Sequence, residues 1–211
     1  MKNPYQVIKD FEESVAEYTG APHVVAVSSC TNALFLCLMW AKVAKIITGG
    51  KFVIPKRTYL SVPQQIKLVG FEFVFKDIEW KGMYPLSPLN IYDCARRFTS
   101  NMFKDLYNSN TLDNHYFMCT SHHWAKILGI ERGGCILHND PESDKWFRKV
   151  RHHGRSEGVH PRDDQPIIGY DMLMLPSVAA NGLVRLSHLP KHNPDLPNDD
   201  YPDLSQMEIF K

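Results

Sequence analysis

Three short stretches of this 211-residue sequence gather side chains that can do chemistry. The first is Ser28-Ser29-Cys30-Thr31, set between the β-branched run HVVAV (23–27) and the apolar segment ALFLCLM (33–39). A turn joining a buried strand to a buried helix aims backbone N–H groups and hydroxyls at one point, where the helix dipole favours an anion such as a phosphate. The same residues also suit an ordinary Ser/Thr helix cap. The second is Asp93, which closes the strand-like LNIYD (89–93). In open α/β sheets the carboxyl ends of strands line the ligand crevice, so an acid there is a site candidate; a helix cap or a pairing with Arg96 or Arg97 is the plain alternative. The third is Lys126, in SHHWAKILGIERGG (121–134). A lysine that is desolvated or near another cation loses its proton more easily and can attack a carbonyl carbon, whereas a solvated lysine does neither.

These residues need a scaffold, and the pattern around them supplies one. Asn3-Pro4 can open a helix that carries Val7, Phe11, Val15 and Tyr18 at helical spacing and stops at Gly20. HVVAV and the apolar 33–39 segment read as strand and buried helix, FVIP (52–55) as a strand, SVPQQIKLVG (61–70) as a helix, and FEFVF (71–75) as the next strand. Segments 115–121 and 133–138 are further strands whose close spacing favours an antiparallel pair. Residues 141–152 and 175–189 suit helices, the second with Pro176 in its first turn. The alternation predicts an α/β fold, a mostly parallel sheet flanked by helices. One domain over 1–190 is expected, followed by a tail over 191–211 whose three prolines, with Pro190 just before them, and many acids predict a mobile or surface-draped course.

Composition narrows the function classes. With 44% hydrophobic and 22% charged residues the chain has material for a sizeable core. Twenty-four Lys plus Arg against 23 Asp plus Glu leave a formal charge of +1, so no global field points to nucleic acid or an anionic membrane. The N-terminal residues lack a signal-peptide pattern and no apolar run is long enough to span a bilayer, which predicts a cytoplasmic protein. Five cysteines, Cys30, Cys37, Cys94, Cys119 and Cys135, lie in apolar segments and read as free thiols of a reducing compartment.

Taken in order, SSCTNAL (28–34), PKRTYLS (55–61), FVFKDI (73–78), IYDCARRF (91–98), SHHWAKILGIERGG (121–134) and VRHHGR (150–155) resemble successive landmarks of the DegT/DnrJ/StrS family of sugar aminotransferases. The resemblance covers most of residues 5–185 and implies a reduced large domain of the fold-type-I transferases that bind pyridoxal 5′-phosphate. It implies that Lys126 carries that cofactor as the internal aldimine and moves the proton during transfer. Asp93 would pair with the pyridine nitrogen and Tyr59 would lie over the ring face. Ser29, Cys30, Thr31 and Ser121 would hold the phosphate, and Arg96 would take the place of a glutamine near the phenolic oxygen. The implied substrates are a nucleotide-linked keto sugar and an amino-acid donor, glutamate, at sites shared across a homodimer.

The sequence also departs from the family. Only 15 residues separate Asp77 from Asp93, where the family carries additional helices and a strand. Cys30 stands at the family's glycine in the phosphate turn, Asp171 and Leu173 stand at its asparagine and arginine, and most of the C-terminal domain is missing. A non-catalytic relative that keeps the fold as a binding or regulatory subunit is therefore the alternative. A zinc site at Cys119-x-x-His122 and Cys135-x-x-His138 is disfavoured, because residues three apart on a strand face opposite ways; no metal is expected. His152 and His153, beside Arg151 and Arg155, read as a solvated helix end or a landing point for an anion.

Overall fold

A computed structural model describes residues 5–109 and 115–211, so the helix opening expected at Asn3-Pro4 lies outside the described residues. In chain order the elements are α1 (Gln6–Thr19), β1 (His23–Val27), α2 (Cys30–Val43), β2 (Lys51–Pro55), α3 (Ser61–Val69), β3 (Glu72–Lys76), β4 (Tyr84–Pro85), β5 (Ile91–Cys94), α4 (Met102–Ser109), β6 (Phe117–Ser121), β7 (Gly134–His138), α5 (Pro141–Val150) and α6 (Pro176–Ser187). Two 3₁₀ turns, Leu204–Gln206 and Glu208–Phe210, follow.

The chain forms α/β layers around a five-stranded sheet of order β1-β7-β6-β5-β4, beside a separate two-stranded β2-β3 sheet. The strand directions depart from the mostly parallel expectation. Parallel pairs are β2/β3 and β5/β6, while β1/β7, β6/β7 and β4/β5 are antiparallel. Connection length decides this. The two parallel pairs are bridged by α3 and α4, whereas the links from β4 to β5 and from β6 to β7 contain no helix to carry the chain back across the sheet. β4 itself falls in a stretch whose sequence has no clear period.

The sheet separates two apolar layers, and strand alternation assigns residues to them. Val25 and Val27 of β1 face the layer of α2, α3 and α5, while Val24 and Ala26 face that of α1, α4 and α6. In α2, Leu34, Leu36 and Leu38 are all buried, consistent with a helix apolar on nearly every side. Each such leucine contributes about 1.5–3 kcal/mol. α1 ends at Gly20, whose φ of 73° is left-handed and whose N–H bonds Ala16 O.

A buried ionic cluster ties α1 to β1 and α5. Glu12, 4% exposed, accepts from the Ala26 amide at 2.8 Å, from Arg148 at 2.6 Å and from Arg151. Arg151, 1% exposed, also bonds Glu157 at 2.6 Å and Ala26 O at 2.7 Å. The Arg151 end of the VRHHGR segment is thus a structural pairing and not the solvated end expected of it.

The tail follows the surface and is tied down at several points. Asn193 Nδ2 donates to Tyr18 Oη and Phe98 O, Asp195 pairs with Arg97, and Leu204 is buried with its N–H on Lys56 O. Among the described residues no helix is long and apolar enough to cross a membrane.

Candidate active site

The C-terminal ends of β1, β5 and β6 lie along one rim of the sheet, and most of the chemistry-bearing residues collect there. Ser29 is the N-cap of α2: its Oγ accepts from Asn32 N at 3.1 Å, and Ser28 Oγ accepts from Asn32 Nδ2 at 2.8 Å. By helix geometry the first-turn amides of α2, Cys30 and Thr31 among them, have no carbonyl four residues back to bond. Thr31 Oγ1 lies 2.9 Å from Ser61 Oγ, which links the turn to α3. Gly134, the register partner of Ser121, packs against this turn so closely that a Cβ on it would sit 2.5 Å from Cys30 N and 2.6 Å from Thr120 O. Ser121 is thereby one strand pairing from the turn.

Cys30 occupies the first position of α2 with its side chain pointing inward. Its thiol donates to Cys119 O at 3.3 Å and lies 4.0 Å from Asp93 Oδ1. Burial, and then the Asp93 carboxylate, push this thiol well above its ordinary pKa and keep it protonated. A neutral thiol turned away from solvent leaves the backbone amides as the anion donors of the turn.

Asp93, 4% exposed, receives Ala95 N–H at 2.9 Å on Oδ1 and the Tyr84 hydroxyl at 3.1 Å on Oδ2. Tyr84 reaches it because β4 pairs with β5 in a register that sets Tyr84 opposite Asp93. The Tyr84 hydroxyl makes a further short hydrogen bond with Thr58 Oγ1. Burial raises the Asp93 carboxyl, and the bonds from Ala95 and Tyr84 offset part of that rise. An ionised carboxylate has about four lone-pair positions, so these two donors leave capacity for a further one.

Lys126 lies in the turn after β6, half-buried, with its N–H on His123 O at 2.8 Å. Burial lowers its pKa, the Arg96 guanidinium lowers it further, and Asp93 opposes both. Lysine, carboxylate and guanidinium are therefore near enough to feel one another's charge. The direction of the shift is the one that frees an amine to act as a nucleophile.

Arg96 is shared with the tail: it bonds Asp200 Oδ1 at 2.5 Å and Tyr201 Oη at 3.1 Å, and its guanidinium stands 4.5 Å from the Tyr201 ring centroid. Tyr59 is 55% exposed, with its ring centroid 6.4 Å from that of Tyr201.

The residues singled out from the sequence therefore converge, with Tyr59 at the outer edge. Sequence reasoning missed Thr58, Tyr84, Asp200 and Tyr201. Tyr84 sits in an aperiodic segment, and the tail residues are more than 100 positions from Arg96, so no local pattern marks them. Asp171 turns to solvent and pairs with His153 at 3.7 Å, and Leu173 bridges to Val27. Cys119 packs against Cys37 in one apolar layer while Cys135 meets His122 at 3.3 Å in the other, so the four zinc-like residues do not share a centre.

The DegT/DnrJ/EryC1/StrS aminotransferase family matches residues 1–103 and 110–195. Among curated proteins, the UDP-4-amino-4-deoxy-L-arabinose–oxoglutarate aminotransferase of Shewanella sediminis is 24% identical over 188 residues, covering 74% of this chain and 48% of that protein. The GDP-perosamine synthase of Caulobacter vibrioides is 23% identical, covering 88% of this chain and 57% of that one. The chain thus spans about half the length of these relatives. Among solved structures, a DegT DnrJ EryC1 StrS aminotransferase from Brucella abortus superposes with a TM-score of 0.62 at 23% identity, over 86% of this chain and 58% of that one. A mutant GDP-4-keto-6-deoxymannose-3-dehydratase with bound GDP-perosamine gives a TM-score of 0.68 at 17% identity, over 88% of this chain and 61% of that one.

Proposed function

Because the chain belongs to the DegT/DnrJ/EryC1/StrS aminotransferase family, we propose that the Asp93–Lys126 cluster holds pyridoxal 5′-phosphate and moves an amino group from glutamate to a nucleotide-linked keto sugar. The observation that carries this reading is the placement of half-buried Lys126, in the turn after β6, at the same sheet rim as the buried carboxylate of Asp93 on the adjacent β5; burial and Arg96 lower the lysine's pKa there. Relatives named as nucleotide-sugar aminotransferases support the substrate class.

The residues suit the group. The first-turn amides of α2, with the Ser29 and Thr31 side chains and Ser121 alongside, make a donor set for a phosphate. Cys30 contributes its amide, since its thiol is engaged inside. Asp93, fixed by Ala95 and Tyr84, would accept a hydrogen bond from the pyridinium N–H and keep that nitrogen protonated, while Tyr59 would cover the ring and Arg96 would face its phenolic oxygen. When bound, the cofactor supplies an electron sink for negative charge developing at the substrate carbon. Lys126 Nζ would hold the cofactor and, once freed by the incoming amine, would carry the proton to and from that carbon. The protein works in this reading as a homodimer in the cytoplasm.

The test is spectroscopic. Purified protein should show a visible band that borohydride removes, glutamate should bleach it, and Lys126→Ala should lack it while still folding. Protein that stays colourless with added cofactor would overturn the reading. A binding or regulatory subunit is the second reading, favoured by Asp171, which turns to His153 and solvent. It predicts a visible band that glutamate leaves unchanged.

A further inference from the structure

The tail is held at two points and crosses the candidate site between them. At the near end Asp195 makes a two-pronged pair with Arg97 at 2.8 and 2.5 Å, and Leu196 N–H bonds Arg96 O at 2.9 Å. Asp195 packs so tightly on Gly82 that a Cβ there would come within 2.3 Å of its carboxylate. At the far end Leu204 is 1% exposed, its N–H bonds Lys56 O at 2.9 Å, and Asp203 lies 3.3 Å from Lys56 Nζ.

The crossing itself is built differently. Asp200, with a side chain 65% exposed, sets its carboxylate on Arg96 at 2.5 Å. Tyr201 lays its ring against the Arg96 guanidinium and stacks at 6.1 Å on Trp80, while Asn198 Nδ2 bonds Trp80 O at 2.8 Å. The segment thus presents an anion and an aromatic ring to the cation that neighbours Lys126 and Asp93. The carboxylate side of the Arg96–Asp200 pair is open to solvent, and the cation–π contact, the single Arg96–Tyr201 hydrogen bond and the Trp80 contacts are each weak, so this crossing opens more easily than the two-pronged Asp195 pair and the buried Leu204. Pro197 and Pro202 bracket it and limit the conformations it gains when it opens.

We propose that residues 197–202 are a displaceable strap in which Asp200 and Tyr201 occupy Arg96 as a built-in stand-in for an anionic aromatic ligand. That ligand enters by lifting the strap while the anchors at Asp195 and Leu204 hold. The identity of the ligand as pyridoxal 5′-phosphate rests on the function proposed above. A closed strap reduces apparent affinity by the fraction of molecules that are open, so the tail sets how much ligand the site needs.

The experiment compares the full chain with Asp200→Asn and with the Asp200→Asn/Tyr201→Ala double variant, titrated with pyridoxal 5′-phosphate by absorbance. Hydrogen exchange over 197–202 and over the Leu204 anchor is followed in parallel. The double variant should bind about five- to tenfold more tightly and the single variant about two- to threefold, as removal of one or two weak contacts predicts. Saturating ligand should speed exchange in 197–202 of the unaltered chain and leave Leu204 unchanged. Equal or weaker binding by the variants, or slower exchange in 197–202, makes the tail a fixed wall and overturns the strap while the cofactor reading stands. No binding by any of the three proteins overturns the cofactor reading and the strap with it. If circular dichroism shows the double variant unfolded, Asp200→Asn decides alone, because its exposed side chain leaves the core untouched.

Discussion

Glu12 on α1 and Asp93 on β5 are both carboxylates 4% exposed against the same sheet, yet their surroundings are opposite in kind. Glu12 meets two guanidiniums and an amide, and the arginines in turn pair with Glu157, Asp144 and backbone carbonyls, leaving only the buried Arg151 Nε of the two guanidiniums without a partner among the described residues. Asp93 receives hydrogen bonds from an amide and a phenol, both neutral donors, with the Cys30 thiol 4.0 Å away and its nearest cations acting across space. Burial costs free energy in both places. Around Glu12 the cost is offset within the protein, and the cluster acts as a rivet between α1, β1 and α5. Around Asp93 it is offset only in part, which leaves a carboxyl raised above its usual range and ready to accept a cationic hydrogen-bond donor. In this protein the number of charged partners, more than burial, separates the two carboxylates.

The largest effect should come from breaking the saturated side. Glu12→Ala leaves Arg151 buried without its main partner, and urea unfolding should show a loss of about 3–5 kcal/mol. A loss below about 1 kcal/mol would dissolve the distinction.

A buried titratable group with no charge partner sharpens it. His122 is fully buried, its Nε2 is near Thr120 Oγ1 and Cys135 Sγ at 3.3 Å, and burial pushes its pKa down to about 3. Its folded value lies below the unfolded one, so its contribution is complete above about pH 6.5 and is lost as pH falls toward the folded value. Stability should drop by about 2 kcal/mol between pH 6.5 and 5, from the linkage slope of one proton. His138, also lowered by burial, adds in the same direction. Unfolding measured at a series of pH values should show a flatter slope in His122→Gln; an unchanged slope would place the sensitivity elsewhere.

The smallest change in stability is expected on the unsaturated side. Because the Asp93 carboxyl is raised by burial, its contribution is complete below the unfolded pKa and is lost as pH rises through the folded one. Asp93→Asn removes that loss and should be at least as stable as the unaltered chain at pH 7, while its affinity for pyridoxal 5′-phosphate falls by roughly tenfold or more, the size of a lost charged hydrogen bond. Marked destabilisation without loss of affinity would make Asp93 another Glu12.

Much of this was legible in the sequence, and the reasons are local. Helical spacing of Phe11 and Val15 with a stop at Gly20, the β-branched HVVAV, and Pro176 at a helix start are read from neighbours in sequence. The ordered landmarks from Ser28 to Arg155 gave the family and drew Cys30, Asp93, Arg96, Ser121 and Lys126 into one expected site. Strand direction was legible only where close spacing favoured the antiparallel β6–β7 pair; elsewhere period-2 alternation carries no information about which way a partner runs. The structure also decided that Arg151 is a buried rivet and that Tyr84 and Thr58 stand behind Asp93. It laid a tail that reads as mobile or surface-draped across Arg96 through Asp200 and Tyr201. Sequence determined which residues carry reactive groups and which elements present them, because those depend on spacings of a few residues. Only the tertiary fold decided which charges are saturated, because their partners lie up to 139 positions away and meet through packing.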